Sequence, residues 1–308
     1  MSQRYLVTGG CGFIGSHLVD ALIADGSQVV VLDDLSTGQR SNLTDAAELI
    51  VGDIRDQNLL VQVSEGCSGI FHLAAMASVP KCTQQWRDSH SINLSASIGI
   101  FELAASLNLP VVYASSSAIY GDVERTPISE DDPKLPISAY GADKYAMELH
   151  ASAGARNRNL RSFGLRFFNI YGPRQDPSSP YSGVIAVFMR RALDGAPVTI
   201  HGSGEQVRDF VYVADAVEAC RAAMERLQGR QAASAEVSNV CTGKATSIQM
   251  LATTISTLVK PDLPVSNGPA RAGDIMRSVG DPSRLTRVLS FRPSITLQDG
   301  LRSILTAG

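Results

Sequence analysis

Cysteine is scarce and scattered: Cys11, Cys67, Cys82, Cys220 and Cys241 are odd in number and contain no C-x-x-C pair. A disulfide framework and a thiolate zinc site are therefore without support. The five histidines, His17, His72, His90, His150 and His201, also lack metal-ligand spacing, so no metal is expected. Neither sign of charge dominates, since 27 Lys+Arg against 30 Asp+Glu leave −3. That balance argues against a general nucleic-acid binder or a polybasic membrane surface. No stretch approaches the roughly 18 apolar residues of a membrane span. Met1 leads directly into Arg4-Tyr5-Leu6-Val7 rather than into a basic, then apolar, signal segment, and a cytoplasmic location is expected. Internal repeats and low-complexity tracts are missing too. What remains is a chain of 308 residues, 44% hydrophobic and 19% charged, long enough to bury a sizeable core.

The first half alternates short apolar runs with longer helical patterns. Tyr5-Leu6-Val7, Val29-Val30-Val31-Leu32, Gly69-Ile70-Phe71-His72-Leu73 and Val111-Val112-Tyr113-Ala114 read as buried strands. Ile14, Leu18, Ala21 and Leu22 recur at helical spacing between the first two, and Asp25-Gly26 ends that pattern. Strands alternating with helices predict a parallel sheet covered on both faces. After about residue 170 the character changes. Residues 172–180, with their prolines and small polar residues, predict a loop, and further Pro/Gly-rich loops follow at 261–274. A first unit over 1–170 and a smaller, interleaved lobe over 171–308 are expected, with a soft boundary.

Gly9, Gly12 and Gly15 stand at G-x-x-G-x-x-G spacing between the first strand and the first helix. Such a turn lets backbone N–H groups and a helix N-terminus approach a pyrophosphate. Asp33, at the end of the second strand, is placed to accept hydrogen bonds from ribose hydroxyls. With Asp34 beside it, a 2′-phosphate would be repelled, so NAD is expected over NADP. Asp53 could approach the adenine, or serve as an ordinary turn or helix-cap aspartate. Cys11 within the glycine turn reads as a small packing residue. His17 reads as a satisfied, partly buried residue, and the single Trp86 as structural.

Tyr140 and Lys144 lie at i and i+4, on one face of a predicted helix. An ammonium and a cationic nicotinamide near the phenol would both lower its pKa from about 10. Alone, this pair equally describes a solvated helix face. Ser115-Ser116-Ser117 ends the fourth strand, where a hydroxyl could hydrogen-bond a sugar oxygen that gains or loses a proton.

TGGCGFIGS, LDDLSTG, GDIRD, HLAA, YASSSAIYG, SAYGADK, LRFFNIYGPRQ, GEQVRDFVYVAD and RAGD follow in this order along the chain. The set resembles the extended short-chain dehydrogenase/reductase family over essentially its whole length, closest to the nucleotide-sugar 4-epimerases. The resemblance implies a doubly wound, Rossmann-like α/β fold with NAD as cofactor. It implies Tyr140 as base, Lys144 as its pKa tuner and Ser116 as hydroxyl partner, with Ser117 beside the sugar; that register could slip by one within the three serines. Cofactor contacts are implied at Gly9, Gly12, Phe13, Ile14, Gly15, Asp33, Asp34, Ser36, Thr37, Gly38, Asp53, Ile54, Leu73, Ala74, Ala75, Ala114 and Phe167, besides Tyr140 and Lys144. Substrate contacts are implied at Ser78, Asn169, Gln175, Gly183, Val184, Arg208, Arg271, Asp274 and Ser278, with Arg208 and Arg271 as a diphosphate clamp. Either arginine could instead form a surface ion pair. Helices near 92–106 and 139–153 are implied to pair in a homodimer, although helical periodicity does not separate that from an internal core.

Related dehydratases and decarboxylases carry an acid just after the Ser/Thr partner, where this chain has Ser117 and Ala118. The resemblance thus implies epimerisation: Tyr140 takes the 4-hydroxyl proton, and hydride leaves carbon 4 and returns to its other face. Ser278, at a gate position often held by Tyr, and the small Gly183 leave room for an N-acetyl group. Val79-Pro80-Lys81 resembles the matching stretch of enzymes acting on UDP-GlcNAc. UDP-GlcNAc and UDP-GalNAc are the expected pair, with UDP-glucose and UDP-galactose the alternative. Nucleotide-sugar dehydration or decarboxylation, and a non-catalytic NAD-binding regulator, stand behind these.

Overall fold

The computed structural model describes residues 2–176, 183–270 and 274–306. Its centre is a seven-stranded sheet built from β1 (Arg4–Thr8), β2 (Gln28–Asp33), β3 (Glu48–Val51), β4 (Gly69–His72), β5 (Pro110–Ser116), β6 (Arg161–Phe167) and a strand from the second half, Ser234–Val240. Every pairing in it is parallel. Read across, the order is Ser234–Val240, β6, β5, β4, β1, β2, β3. The chain runs outward from β1 to β3 and then resumes on the other side of β1 with β4. That reversal opens a crevice at the carboxyl ends of β1 and β4, where doubly wound sheets bind ligands.

Helices cover both faces, as the unbroken apolar strands require. One face packs α1 (Phe13–Ala24), through Leu18, Val19 and Leu22, with a later helix, Val213–Gln228, through Ala216, Ala219, Ala223 and Leu227. The other packs α2 (Gln57–Ser64), α5 (Ala96–Ser106) and α6 (Ala139–Asn157), with α3 (Val79–Gln84) and α4 (Trp86–His90) lying against α6. Ile100, Phe101, Met147 and Ala151 there meet Val111 and Tyr113 of β5. Between α4 and α5, residues Ser91–Ser95 form a π turn. Ser138 starts α6 by accepting the Gly141 N–H at 3.1 Å.

A third apolar cluster lies wholly beyond residue 170. The second half of the chain forms α7 (Val184–Leu193), α8 (Val213–Gln228), α9 (Ile248–Val259), α10 (Ser283–Leu289) and α11 (Leu297–Thr306) with short strands: β7 (Asn169–Tyr171), β8 (Val198–His201), β9 (Val207–Arg208), β10 (Phe210–Tyr212), β12 (Thr246–Ser247), β13 (Val265–Gly268) and β14 (Arg277–Ser278), the sheet strand Ser234–Val240 being β11. The third cluster draws on α7, α9, α11, β7, β8 and β10. Two expectations need correcting. The stretch 261–274 contains β13, paired with β8, because Val265 finds apolar neighbours that local composition does not reveal. Trp86 is 65% exposed on α4 and packs into no core. All five cysteines are free, as expected, and no helix among the described residues is long and apolar enough to cross a membrane.

Candidate active site

The glycine turn connects β1 to α1 at the crevice. Gly9 adopts φ +73°, and a Cβ there would lie 2.6 Å from the Ala74 amide nitrogen. At Gly15 a Cβ would fall 2.1 Å from the Gly9 carbonyl oxygen. Both positions therefore demand glycine, and together they bring bare backbone to the start of α1, whose first turn carries no acid. A group larger than a hydrogen at either position would fill the cradle that a pyrophosphate needs.

Asp33 fixes the second wall. Its Oδ2 accepts the Cys11 N–H and its Oδ1 the Leu35 N–H, both at 2.9 Å. Burial raises its pKa against those bonds, and each oxygen keeps a further lone pair for a ribose hydroxyl. Gly38 folds back so closely that a Cβ would meet Asp33 Oδ1 and Cys11 Cβ at 2.8 Å. Asp34 turns the other way and accepts Ser36 N and Oγ at 2.9 and 2.6 Å, leaving Ser36 and Thr37 on the exposed loop before Gly38. Asp53 is held by Arg55, which lowers its pKa, while the adjacent Ile54 is buried. These residues could hold an NAD molecule, the bare backbone at Gly9 and Gly15 being open to a pyrophosphate and Asp33 keeping lone pairs for a ribose hydroxyl.

Sequence reading missed the support beneath this wall. His72 ends β4 fully buried, its Nδ1 2.8 Å from Thr8 Oγ1 and its Nε2 2.8 Å from Ser97 Oγ. Ser97 donates to the Asn93 carbonyl and Ala74 N–H donates to Thr8 Oγ1. Those directions assign the proton to Nε2 and leave Nδ1 an acceptor. Burial drives the His72 pKa down to about 3, so the imidazole is a neutral strut. Asn93, in the π turn, grips Met76 N and O at 2.8 and 3.1 Å. Segment Leu73-Ala74-Ala75 is thereby pinned from both ends at the crevice.

At the end of β5 the three serines part. Ser115 points to Glu148 of α6 and is buried. The Ser116 hydroxyl accepts the Ala118 N–H at 3.1 Å and lies near enough to the Tyr140 phenol to lower its pKa. Ser117 begins the 3-10 turn Ser117–Tyr120. The structure thus selects Ser116 from the triplet as the neighbour of Tyr140. Lys144 Nζ donates to the Ala114 carbonyl at 2.8 Å and lies 5.8 Å from the Tyr140 ring centroid. Burial pushes the Tyr140 phenol up to about 12 against the lowering influence of Ser116, and lowers the Lys144 ammonium to about 8, with Cys82 and Asp143 opposing. The expected depression of the tyrosine pKa is therefore not present in the chain alone: desolvation outweighs the lowering by Ser116. The buried Cys82 beside both groups gave no sequence signal.

Across the crevice, Arg208 on β9 pairs with Asp274 at 2.6 Å and donates to the Ile275 carbonyl. Ser278 on β14 is the register partner of Arg208. Asn169 opens β7, its N–H on the Asp209 carbonyl. Gln175 Nε2 lies 2.9 Å from where a Gly183 Cβ would be, and Val184 starts α7. Ser78 caps α3 by accepting Lys81 N–H. Arg271 lies outside the described residues. His17 on α1 is satisfied as expected, its Nε2 3.0 Å from the Pro173 carbonyl.

Comparison with known proteins matches these features. Residues 5–241 match the family model "NAD dependent epimerase/dehydratase family". A UDP-glucose 4-epimerase from Mycolicibacterium smegmatis is 38% identical, covering 97% of this chain and 96% of that protein. The crystal structure of UDP-glucose 4-epimerase with UDP-glucose from Thermotoga maritima is 36% identical and superposes with TM-score 0.93, covering 99% and 98% of the two chains. A UDP-N-acetylglucosamine 4-epimerase from Methanobrevibacter ruminantium, in complex with UDP-N-acetylmuramic acid, is 35% identical with TM-score 0.92 over 100% and 99%. The match of the family model over residues 5–241 places this chain in the NAD dependent epimerase/dehydratase family, with NAD as its cofactor.

Proposed function

We propose that the protein interconverts UDP-hexoses epimeric at carbon 4, favouring UDP-GlcNAc and UDP-GalNAc and accepting UDP-glucose and UDP-galactose more weakly. The observation that carries the reaction is the Ser116–Tyr140–Lys144 arrangement, with no carboxylate at 117 or 118 to drive elimination or decarboxylation. Glu148, the carboxylate that reaches this strand end, is tied up by Ser115 and Arg166.

Bound NAD supplies the hydride-accepting and hydride-returning centre and a positive ring charge. Tyr140 receives the proton of the 4-hydroxyl and later returns it, and Ser116 holds the same sugar oxygen by hydrogen bond. Lys144, buried as an ammonium, favours the phenolate. Arg208 holds the diphosphate, exchanging part of its pairing with Asp274 for phosphate oxygens, and Asn169, Gln175 and Asp274 fix the nucleotide. With the nucleotide anchored, the 4-keto sugar turns and presents its other face. Ser278, beside Arg208 on the neighbouring strand, is short enough to leave space for an N-acetyl group.

The lobe beyond residue 170 carries the nucleotide sugar in this reading. Two copies join through α5 and α6, whose shared groove of about 180 Å³ is lined by Ile98, Phe101, His150 and Ala153 among others; a monomer by light scattering would overturn that pairing. The function itself is tested by incubating the purified protein with UDP-GlcNAc, with and without NAD, and following the anomeric protons. UDP-GalNAc forming to a constant ratio, without mass change, supports it, as does loss of conversion in Tyr140→Phe. Conversion of UDP-glucose but not UDP-GlcNAc would replace the N-acetyl preference, and a product of altered mass would replace epimerisation.

A further inference from the structure

Three polar side chains stand in one row across the sheet. Ser115 of β5 is the register partner of Arg166 of β6, and Arg166 that of Asn239 of β11. All are buried, with Arg166 only 3% exposed. Glu148 of α6 closes over the row: its Oε1 accepts Ser115 Oγ at 2.5 Å and Arg166 Nε at 2.9 Å, and its Oε2 accepts Arg166 Nη2 at 2.7 Å. Arg166 Nη1 donates to the Tyr120 hydroxyl at 2.7 Å and to the Glu130 carbonyl at 3.2 Å. Tyr120 in turn donates to Asn239 Oδ1 at 2.6 Å.

Burying an ion pair is a poor way to gain stability, since apolar side chains of similar volume do as well or better. What a bidentate pair supplies is direction, because the guanidinium fork and the carboxylate tolerate little displacement. The row has a specific thing to direct. Tyr140, Lys144 and Glu148 follow at four-residue intervals and share a face of α6. All three face the end of β5: Tyr140 lies near the Ser116 hydroxyl, Lys144 donates to the Ala114 carbonyl and Glu148 accepts from the Ser115 hydroxyl. The apolar packing of Met147 and Ala151 on the sheet does not by itself fix how far α6 slides along its axis. A bond from Glu148 to the residue adjoining Ser116 does.

We propose that Glu148, oriented by Arg166 and bonded to Ser115, is a positioning residue that sets the register of the helix bearing Tyr140 and Lys144 against the strand end bearing Ser116. This rests on the epimerase reading above.

Ser115→Ala tests it with the least disturbance, since it removes one hydroxyl and leaves the Arg166–Glu148 pair intact. Epimerisation of UDP-GlcNAc and UDP-glucose is followed over a range of substrate concentrations, and the folded fraction by circular dichroism. The expected result is a fall in kcat of about tenfold at unchanged KM, because the nucleotide is held elsewhere. Glu148→Gln should be slower still, and the double variant no slower than Glu148→Gln alone, because both break one contact. Unchanged kcat in Ser115→Ala, or losses that multiply in the double variant, would overturn the proposal. So would a lower Tm and folded fraction with kcat per folded molecule retained, which describes a merely structural row. A wild-type protein that epimerises neither sugar overturns the function reading and this proposal with it, whereas active wild type with unaffected variants overturns this proposal alone.

Discussion

Lys144 directs its ammonium at the Ala114 carbonyl, 2.8 Å away, rather than at the phenol of Tyr140 one turn earlier. The lysine is 2% exposed and has exchanged water for one carbonyl and the face of an aromatic ring. Its charge is therefore held at a cost in solvation, which is why its pKa falls to about 8 while the phenol rises to about 12.

The first expectation concerns pH. The ammonium is present below pH 8 and lost above it, so turnover that depends on that charge should decline through pH 8, well below the range of an exposed lysine near 10.4. A kcat profile from pH 6 to 10 shows the decline, and in Lys144→Arg, charged throughout, the remaining rate should lack it. A wild-type profile flat to pH 10 would contradict the assignment.

Stability should respond in the opposite sense to activity. Between about pH 8 and 10.5 the unfolded chain binds more protons at Lys144 than the folded chain does, so this group's contribution to stability rises with pH across that window. Below it the buried charge is a constant penalty. Lys144→Met should therefore raise Tm at pH 7 by at least about 2 °C while abolishing epimerisation. A variant that melts lower would show that the Ala114 bond outweighs desolvation.

The glycine cradle makes a prediction about cofactor retention. Gly15→Ala places a Cβ against the Gly9 carbonyl at 2.1 Å, and neither backbone segment can yield without opening the turn. NAD recovered from the denatured, purified variant should fall at least about tenfold below wild type. Full recovery would mean that the turn relaxes at little cost.

The pocket argument is tested at Ser278. Ser278→Tyr should lower kcat/KM for UDP-GlcNAc at least about tenfold relative to UDP-glucose, the scale on which added bulk discriminates substrates. An unchanged ratio would remove the steric basis for the proposed preference.

The glycine turn and Asp33 were legible because their chemistry is local: strand, turn, helix and strand follow within 33 residues of sequence. Tyr140 and Lys144 were legible through one helical interval. Ser116 was named through the family resemblance with a possible slip of one, since a triplet of serines carries no register of its own; Glu148 on another element takes up Ser115. Glu148 itself lay at the next helical interval, but its meaning depends on Arg166 and Asn239, which only the sheet brings together. The engagement of Arg208 on β9 by Asp274, which precedes β14, depends on the pairing of two short strands that composition leaves looking like loop. His72 was read as one more apolar-strand residue because a neutral, doubly bonded imidazole leaves no trace in spacing.

The place of β11 at the outer edge of β6 governs how this chain comes into being on a ribosome. Residues 168–233 must be made before Ser234–Val240 can dock, so β6 emerges with a row of unpaired amide and carbonyl groups. Parallel pairing over so long a separation closes slowly, and an uncovered edge recruits other nascent strands. A product halted before Ser234 would thus be a sticky fragment rather than a smaller cofactor-binding protein, and Asn239, the far end of the row over which Glu148 closes, is among the last side chains of the central sheet to be synthesised.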